Sequence, residues 1–249
     1  MMPEPAGFSP RTLRFLRAVT RNNRREWFHE HRADYEAFVR GPVVSIVERL
    51  AVDFAAAAPD FVADPKISLF RPWRDTRFSA DKRPLKTHVA ALFPQRALGR
   101  LRGAGLYFEV GPGYVWIGGG LYAPDPASLH AVRSHIAARH TRLRRLLGAP
   151  AFTRTFGAIG GEQAARMPRG FDPEHPAADL IRHKQYLAVR EEPDTFATTP
   201  GFYAELLASF MAMAPFVRFL NEPLVALKRT ADADPLVAER RVPSSRIQR

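Results

Sequence analysis

The 249-residue sequence contains no cysteine. That excludes disulfides, thiolate zinc sites and cysteine nucleophiles together, and it agrees with a reducing compartment. A long hydrophobic run is also missing. The longest, Leu206–Val217, holds Ser209 and Pro215 and is too short to span a bilayer. The opening residues, MMPEPAGFSPRT, lack the apolar core of a signal peptide. These absences predict a cytoplasmic protein with no membrane partner. Nucleophile elbow, Walker loop, dinucleotide fingerprint and H-E-x-x-H are all absent, so no familiar reaction is announced and no cofactor is named. Lysine is scarce: Lys66, Lys82, Lys86, Lys184 and Lys228 are the five among 37 cations.

The 25 acidic residues leave a net charge of +12. That balance favours a polyanionic partner. The arginines are spread along the whole chain, however, as a residue-usage bias would spread them. Where arginine is the default cation, a lysine marks a place for a compact, tunable ammonium. Three of the five lie between residues 66 and 86.

The chain is 46% hydrophobic and 11% aromatic. At this length it buries about 70–75% of its unfolded surface and needs no staple. Ser9-Pro10 opens a first helix over Thr12–Val19, and Asn22-Asn23 caps a second over Arg24–Arg40. Trp27, Phe28, His31, Tyr35 and Phe38 share one face of it, so His31 is a core histidine or a site residue. Gly41-Pro42 is expected to break the chain before a third helix that runs to about Ala58. Strands are predicted at Ile67–Phe70, at Val89, Ala91 and Phe93, and in a hairpin of Leu106–Val110 with Tyr114–Ile117. Gly118-Gly119-Gly120 suits an anion nest, a bulge or a close backbone approach.

Asp125-Pro126 starts a long helix to Leu147. His130, His135 and His140 recur on it every five residues, off any single face, so no zinc site is expected. A strand at Phe152–Ile159, a short helix from Pro176, a strand at Tyr186–Val189 and a last helix kinked at Pro215 complete the series. The expectation is an α+β fold, with a largely antiparallel central sheet and helices at the N-terminus, middle and C-terminus. Residues 1–8 read as a flexible N-terminus, 9–222 as one domain with a helical part at 9–58, and 228–249 as a mobile charged tail.

The stretch Arg71–Lys86, RPWRDTRFSADKRPLK, carries a local net charge of +4 and interleaves Trp73 and Phe78 with its cations. Arginine offers a planar fork for phosphate or carboxylate, and lysine adds a point charge. Arg71, Arg74, Arg77, Phe78, Lys86 and the more distant Lys184 are therefore candidate ligand contacts. The ligand class is an anion: a phosphate-bearing small molecule, a nucleotide or nucleic acid, with Trp73 or Phe78 stacking on a base. Asp75, Asp81 and Lys82 are the catalytic candidates, as general base or metal ligand and as electrostatic stabiliser, with His88 or His175 as proton carrier. A purely structural ion-pair network fits the same residues.

The pattern Arg71-x-x-Arg74-Asp75-x-Arg77-Phe78-x-x-Asp81-Lys82 resembles the signature of domain-of-unknown-function family 2461. The resemblance extends to Asn22-Asn23 with Trp27-Phe28 and His31, to Gly118–Pro124, and to Pro168–Phe171 with His175-Pro176. It implies homology and no chemistry, since the family has no established activity. The family commonly carries a tyrosine three residues after the motif lysine. Here that position is Leu85, which removes a shared catalytic phenol.

Overall fold

Two prolines set the course of the N-terminal helices in the computed structural model, which describes residues 7–233. Pro10 opens α1 (Pro10–Arg21), where its missing N–H has no partner to lose. Pro42 was expected to break the chain, and it does not. The predicted second helix instead divides into α2 (Arg25–Glu30), α3 (Arg32–Tyr35) and a π-turn (Glu36–Arg40), which runs unbroken into α4 (Gly41–Ala57). In an α-helix Pro42 would strand the Phe38 carbonyl and clash with it. The wider π-turn relieves the crowding, and the hydroxyl of Thr12, itself fully buried, donates to that carbonyl.

The sheet is antiparallel, in the order β1 (Val89–Pro94), β2 (Gly105–Gly111), β3 (Tyr114–Leu121), β4 (Tyr186–Glu192). The predicted hairpin pairs Phe108 with Ile117 and Val110 with Val115. The triple glycine is part of β3 and serves close backbone approach. A Cβ on Gly119 would lie 2.1 Å from the Gly105 carbonyl oxygen, and one on Gly120 would lie 2.0 Å from that of Tyr186.

Two predicted strands are helical. Asp64 caps Lys66 N at 2.7 Å and Pro65 follows it, so Pro65–Ser68 forms α5, and only Leu69 reaches a bridge, to Ala91. Pro150 starts α7 (Pro150–Phe156), whose Phe152 and Phe156 are both buried at i,i+4 spacing. Proline at the first helical position outweighs a short apolar run in both cases, with a side-chain cap beside it in α5.

Between them comes α6 (Pro126–Leu147), capped by Asp125, and α8 (Ala178–Ile181) follows α7. The last helix, α9 (Phe202–Ala233), continues through Pro215 and Pro223. The tail expected from Lys228 is therefore helical as far as Ala233, and its remainder lies outside the described residues. Phe8, assigned above to a flexible terminus, is buried against Phe202 at 5.8 Å. By length and mean hydropathy (1.3) α9 is apolar enough to cross a membrane. Its buried residues Leu206, Phe210, Met213 and Val217 belong to the same core as Leu106, Phe108, Val115 and Ile117 of the sheet. Phe54, Phe93 and Phe210 join α4, β1 and α9 in one aromatic cluster with centroids 5.3–6.2 Å apart. Tyr107, Glu109 and Trp116 alternate with the core residues and so point to the other face of the sheet.

Thr12→Val keeps the shape and removes the donor to the Phe38 carbonyl. Leaving that buried carbonyl unpaired costs about 1–3 kcal/mol, so calorimetry should record a melting temperature lower by about 2–10 °C. An unchanged melting temperature contradicts the role given to Thr12.

Candidate functional site

Residues 71–86 form a strap that leaves the β1 edge and returns to it. Its two arms pair as a short ladder: Arg74 N donates to Pro84 O at 2.8 Å, and Lys86 N to Pro72 O at 2.7 Å. Asn23, at the end of α1, clamps the returning arm. Its Oδ1 accepts from Leu85 N at 2.9 Å, and its Nδ2 donates to Leu85 O at 3.0 Å. Leu85 itself is buried against the N-terminal helices. The position where a phenol was expected from the resemblance is thus a core position.

At the tip of the strap the charges pair locally. Asp75 takes a two-pronged contact from Arg77 at 3.0 and 2.8 Å. Asp81 is shared by Arg83 and Arg74, each at 2.7 Å. Hydrogen bonds from Arg77 hold the Asp75 carboxyl down at about 2. Arg83, and after it Arg74, hold the Asp81 carboxyl well below the usual carboxylate range. Both are acids too weakly basic to accept a proton near neutral pH. Lys82 donates to the Thr76 carbonyl at 3.0 Å, and Phe78 is 94% exposed beneath Arg77. Lys184 pairs with Glu162 just before β4, at the opposite edge of the sheet from β1. Three strand spacings, roughly 14 Å, separate those edges, so Lys184 does not join the other candidates.

A different group of residues converges at the base of the strap. The Phe70 ring has Lys86 Nζ 4.6 Å from its centroid and the Arg100 guanidinium carbon 4.5 Å from it. Arg100 donates to the Leu69 carbonyl through Nη2, while its buried Nε has no hydrogen-bond partner among the described residues. Burial pushes the Lys86 ammonium below the usual lysine value, and the positive charges of Arg100 and Arg71 push it further. Lys86 makes no ion pair among the described residues.

Below this pair of cations lies Glu109 on β2, whose side chain is 7% exposed. It accepts a hydrogen bond from the Tyr107 hydroxyl and faces His88 Nε2 at 3.7 Å. Burial, and then the bond to Glu109, drives the Tyr107 and Tyr114 hydroxyls to higher pKa. Burial lowers His88, and Lys86 adds to the effect while Glu109 opposes it. Displaced acid–base groups gathered beside a cleft mark a functional-site candidate.

The cleft is a groove of about 280 Å³ lined by Asn23, Arg74, Asp81, Arg83, Lys86 and His88. A second groove, about 260 Å³, is lined by Arg25, His29, Trp73, Arg74, Thr76 and Pro84, so Arg74 belongs to both. Among the described residues no group of three His, Asp or Glu side chains is placed to hold a metal ion.

Of the residues singled out from the sequence, Arg74, Asp81, Lys86 and His88 line this groove, and Arg71 bears on Lys86 by its charge, whereas Asp75, Arg77, Phe78 and Lys82 stay at the exposed tip. Arg100, Tyr107 and Glu109 were missed. Glu109 carried a signal: an acid in the middle of Leu106–Val110, an otherwise apolar and aromatic strand, has to be held by partners once buried.

Asn23→Ala should release the returning arm. Amide exchange at Leu85 and Lys86 should quicken by at least about tenfold, the equivalent of one lost hydrogen bond at about 1.4 kcal/mol, with α9 unaffected. Unchanged protection at those amides contradicts the clamp.

No curated protein and no solved structure matches the chain. A family model described as "Conserved hypothetical protein (DUF2461)" matches residues 11–219. The chain therefore belongs to the DUF2461 family of conserved hypothetical proteins.

Proposed function

We propose that this protein binds a phosphate-bearing anion in the groove at the base of the strap, with Lys86 as its central contact and Arg71 and Arg100 beside it. The observation that carries the reading is the pairing of Lys86 and Arg100 around one phenyl ring, with no carboxylate in an ion pair with either among the described residues. Their charged groups are at most about 9 Å apart. At an intermediate effective dielectric, two like charges at that distance repel by about 2 kcal/mol or more. A bound anion turns that repulsion into attraction.

The pairs Asp75–Arg77, at the tip, and Asp81–Arg83, on the wall of the groove, have a different part. Exposed pairs of this kind add little to stability, and they consume local charge that would otherwise compete for the ligand. The second groove, sharing Arg74 and walled by Trp73, suits a ring attached to the phosphate, which favours a nucleotide-like ligand over an extended polymer.

Calorimetric titration with inorganic pyrophosphate tests the reading. Affinity should fall as salt rises from about 50 to 200 mM, and Lys86→Met should weaken binding by at least about tenfold. Burial, Arg100 and Arg71 lower the pKa of Lys86 and Glu109 only partly opposes them, so binding should weaken as pH rises through that lowered value, before an ordinary lysine deprotonates. Affinity independent of salt, or unaltered in Lys86→Met, contradicts the proposal.

A further inference from the structure

The carboxylate of Glu109 has a use that anion binding alone leaves unexplained. An ionised acid is costly to bury, and Glu109 sits on the face of the sheet away from α9, where an apolar residue would serve packing as well. Its surroundings are specific: the Tyr107 hydroxyl donates to it, Tyr114 lies close enough to be perturbed by it, and His88 Nε2 faces it at 3.7 Å. That separation is just beyond hydrogen-bond reach, a looseness common in catalytic pairs without substrate. With Nε2 turned to the carboxylate, the proton belongs on Nε2 and the lone pair on Nδ1. His88 is 28% exposed at its side chain and lines the same groove as Lys86 and Arg74. A buried acid, an imidazole oriented by it and a cationic cradle beside the imidazole are the parts of a general-base site.

Resting on the anion site proposed above, we infer that this protein hydrolyses a phosphate ester, with His88 as general base and Glu109 as the positioning residue behind it. Lys86 and Arg74, which line the groove with His88, hold the phosphoryl oxygens, and the charges of Arg71 and Arg100 stand behind Lys86. A water molecule on the groove side gives its proton to Nδ1 of His88 as its oxygen bonds to phosphorus. The bond from phosphorus to the ester oxygen breaks, and the alcohol leaves as an alkoxide. The imidazolium returns its proton to bulk water and the alkoxide takes one from it, so one ester and one water yield one alcohol and one phosphate. Glu109 stabilises the imidazolium formed in the first step, and Tyr107 and Tyr114 keep that carboxylate from turning away. The other charged groups that bear on His88 are Lys86, which disfavours its protonation, and Glu109, which favours it.

The test uses the full chain with para-nitrophenyl phosphate and bis(para-nitrophenyl) phosphate, the monoester and diester probes, and reads nitrophenolate release. Phosphate binding is measured by calorimetry in parallel. One probe should be turned over by the parent protein. His88→Asn should lower kcat by about 100-fold or more while phosphate affinity stays within about threefold, with His88→Gln standing in should the first variant melt early. Glu109→Gln, which keeps a hydrogen-bond acceptor for Tyr107, should move the acidic limb of the kcat/KM profile to lower pH, because the imidazolium loses its counter-charge. Phosphate bound with neither ester cleaved overturns this inference and leaves the anion site standing. Failure to bind phosphate overturns both. A His88→Asn rate equal to the parent's removes His88 as the base. A Glu109→Gln profile reduced in height but unmoved in pH removes Glu109 as its positioning residue.

Discussion

Two hydrogen bonds from one asparagine fix the arrangement at the base of the strap. Asn23 satisfies both backbone polar groups of Leu85, and the leucine side chain is anchored in the core. With residue 85 held at backbone and side chain, Lys86 has little choice of direction, and His88 stands two residues later, immediately before β1. The other arm is set by the ladder bonds of Arg74 and Lys86. A charged loop is thereby attached to the apolar interior at its base and left free to be solvated at its tip.

The strap divides its charges by depth. Along the strap each carboxylate has a guanidinium two residues on, so Asp75 at the tip and Asp81 on the groove wall are neutralised locally. At the base, Lys86 and Arg100 share a phenyl ring and Glu109 is reserved for tyrosine hydroxyls and a histidine. Electrostatic interactions count for more as water is excluded. The same net charge is therefore quiet at the tip and consequential at the base, and a ligand that brings negative charge is drawn to the base.

Much of this was legible in the sequence. The antiparallel hairpin followed from alternation across Leu106–Val110 and Tyr114–Ile117, and the long helices from caps and periodic apolar residues. The scarcity of lysine drew attention to Lys86. What could not be read were contacts made at long sequence separation. Asn23 and Leu85 are 62 positions apart, and Arg100 reaches Leu69 across 31. Local signals also misled where two physical tendencies compete: the run Ile67–Phe70 favours a strand, but Asp64-Pro65 just ahead of it starts a helical turn. The twelve-position charged pattern focused attention on its own acids. The carboxylate at the base, Glu109, comes from β2, which contributes no cation to the pattern.

The central claim is that uncompensated positive charge collects at Lys86. Only five lysines are present, so selective isotope labelling lets each ammonium be titrated by NMR. Lys86 should deprotonate at a lower pH than an ordinary lysine, and inorganic pyrophosphate should raise its value. If Lys86 titrates as an ordinary lysine and pyrophosphate does not move it, the account is wrong.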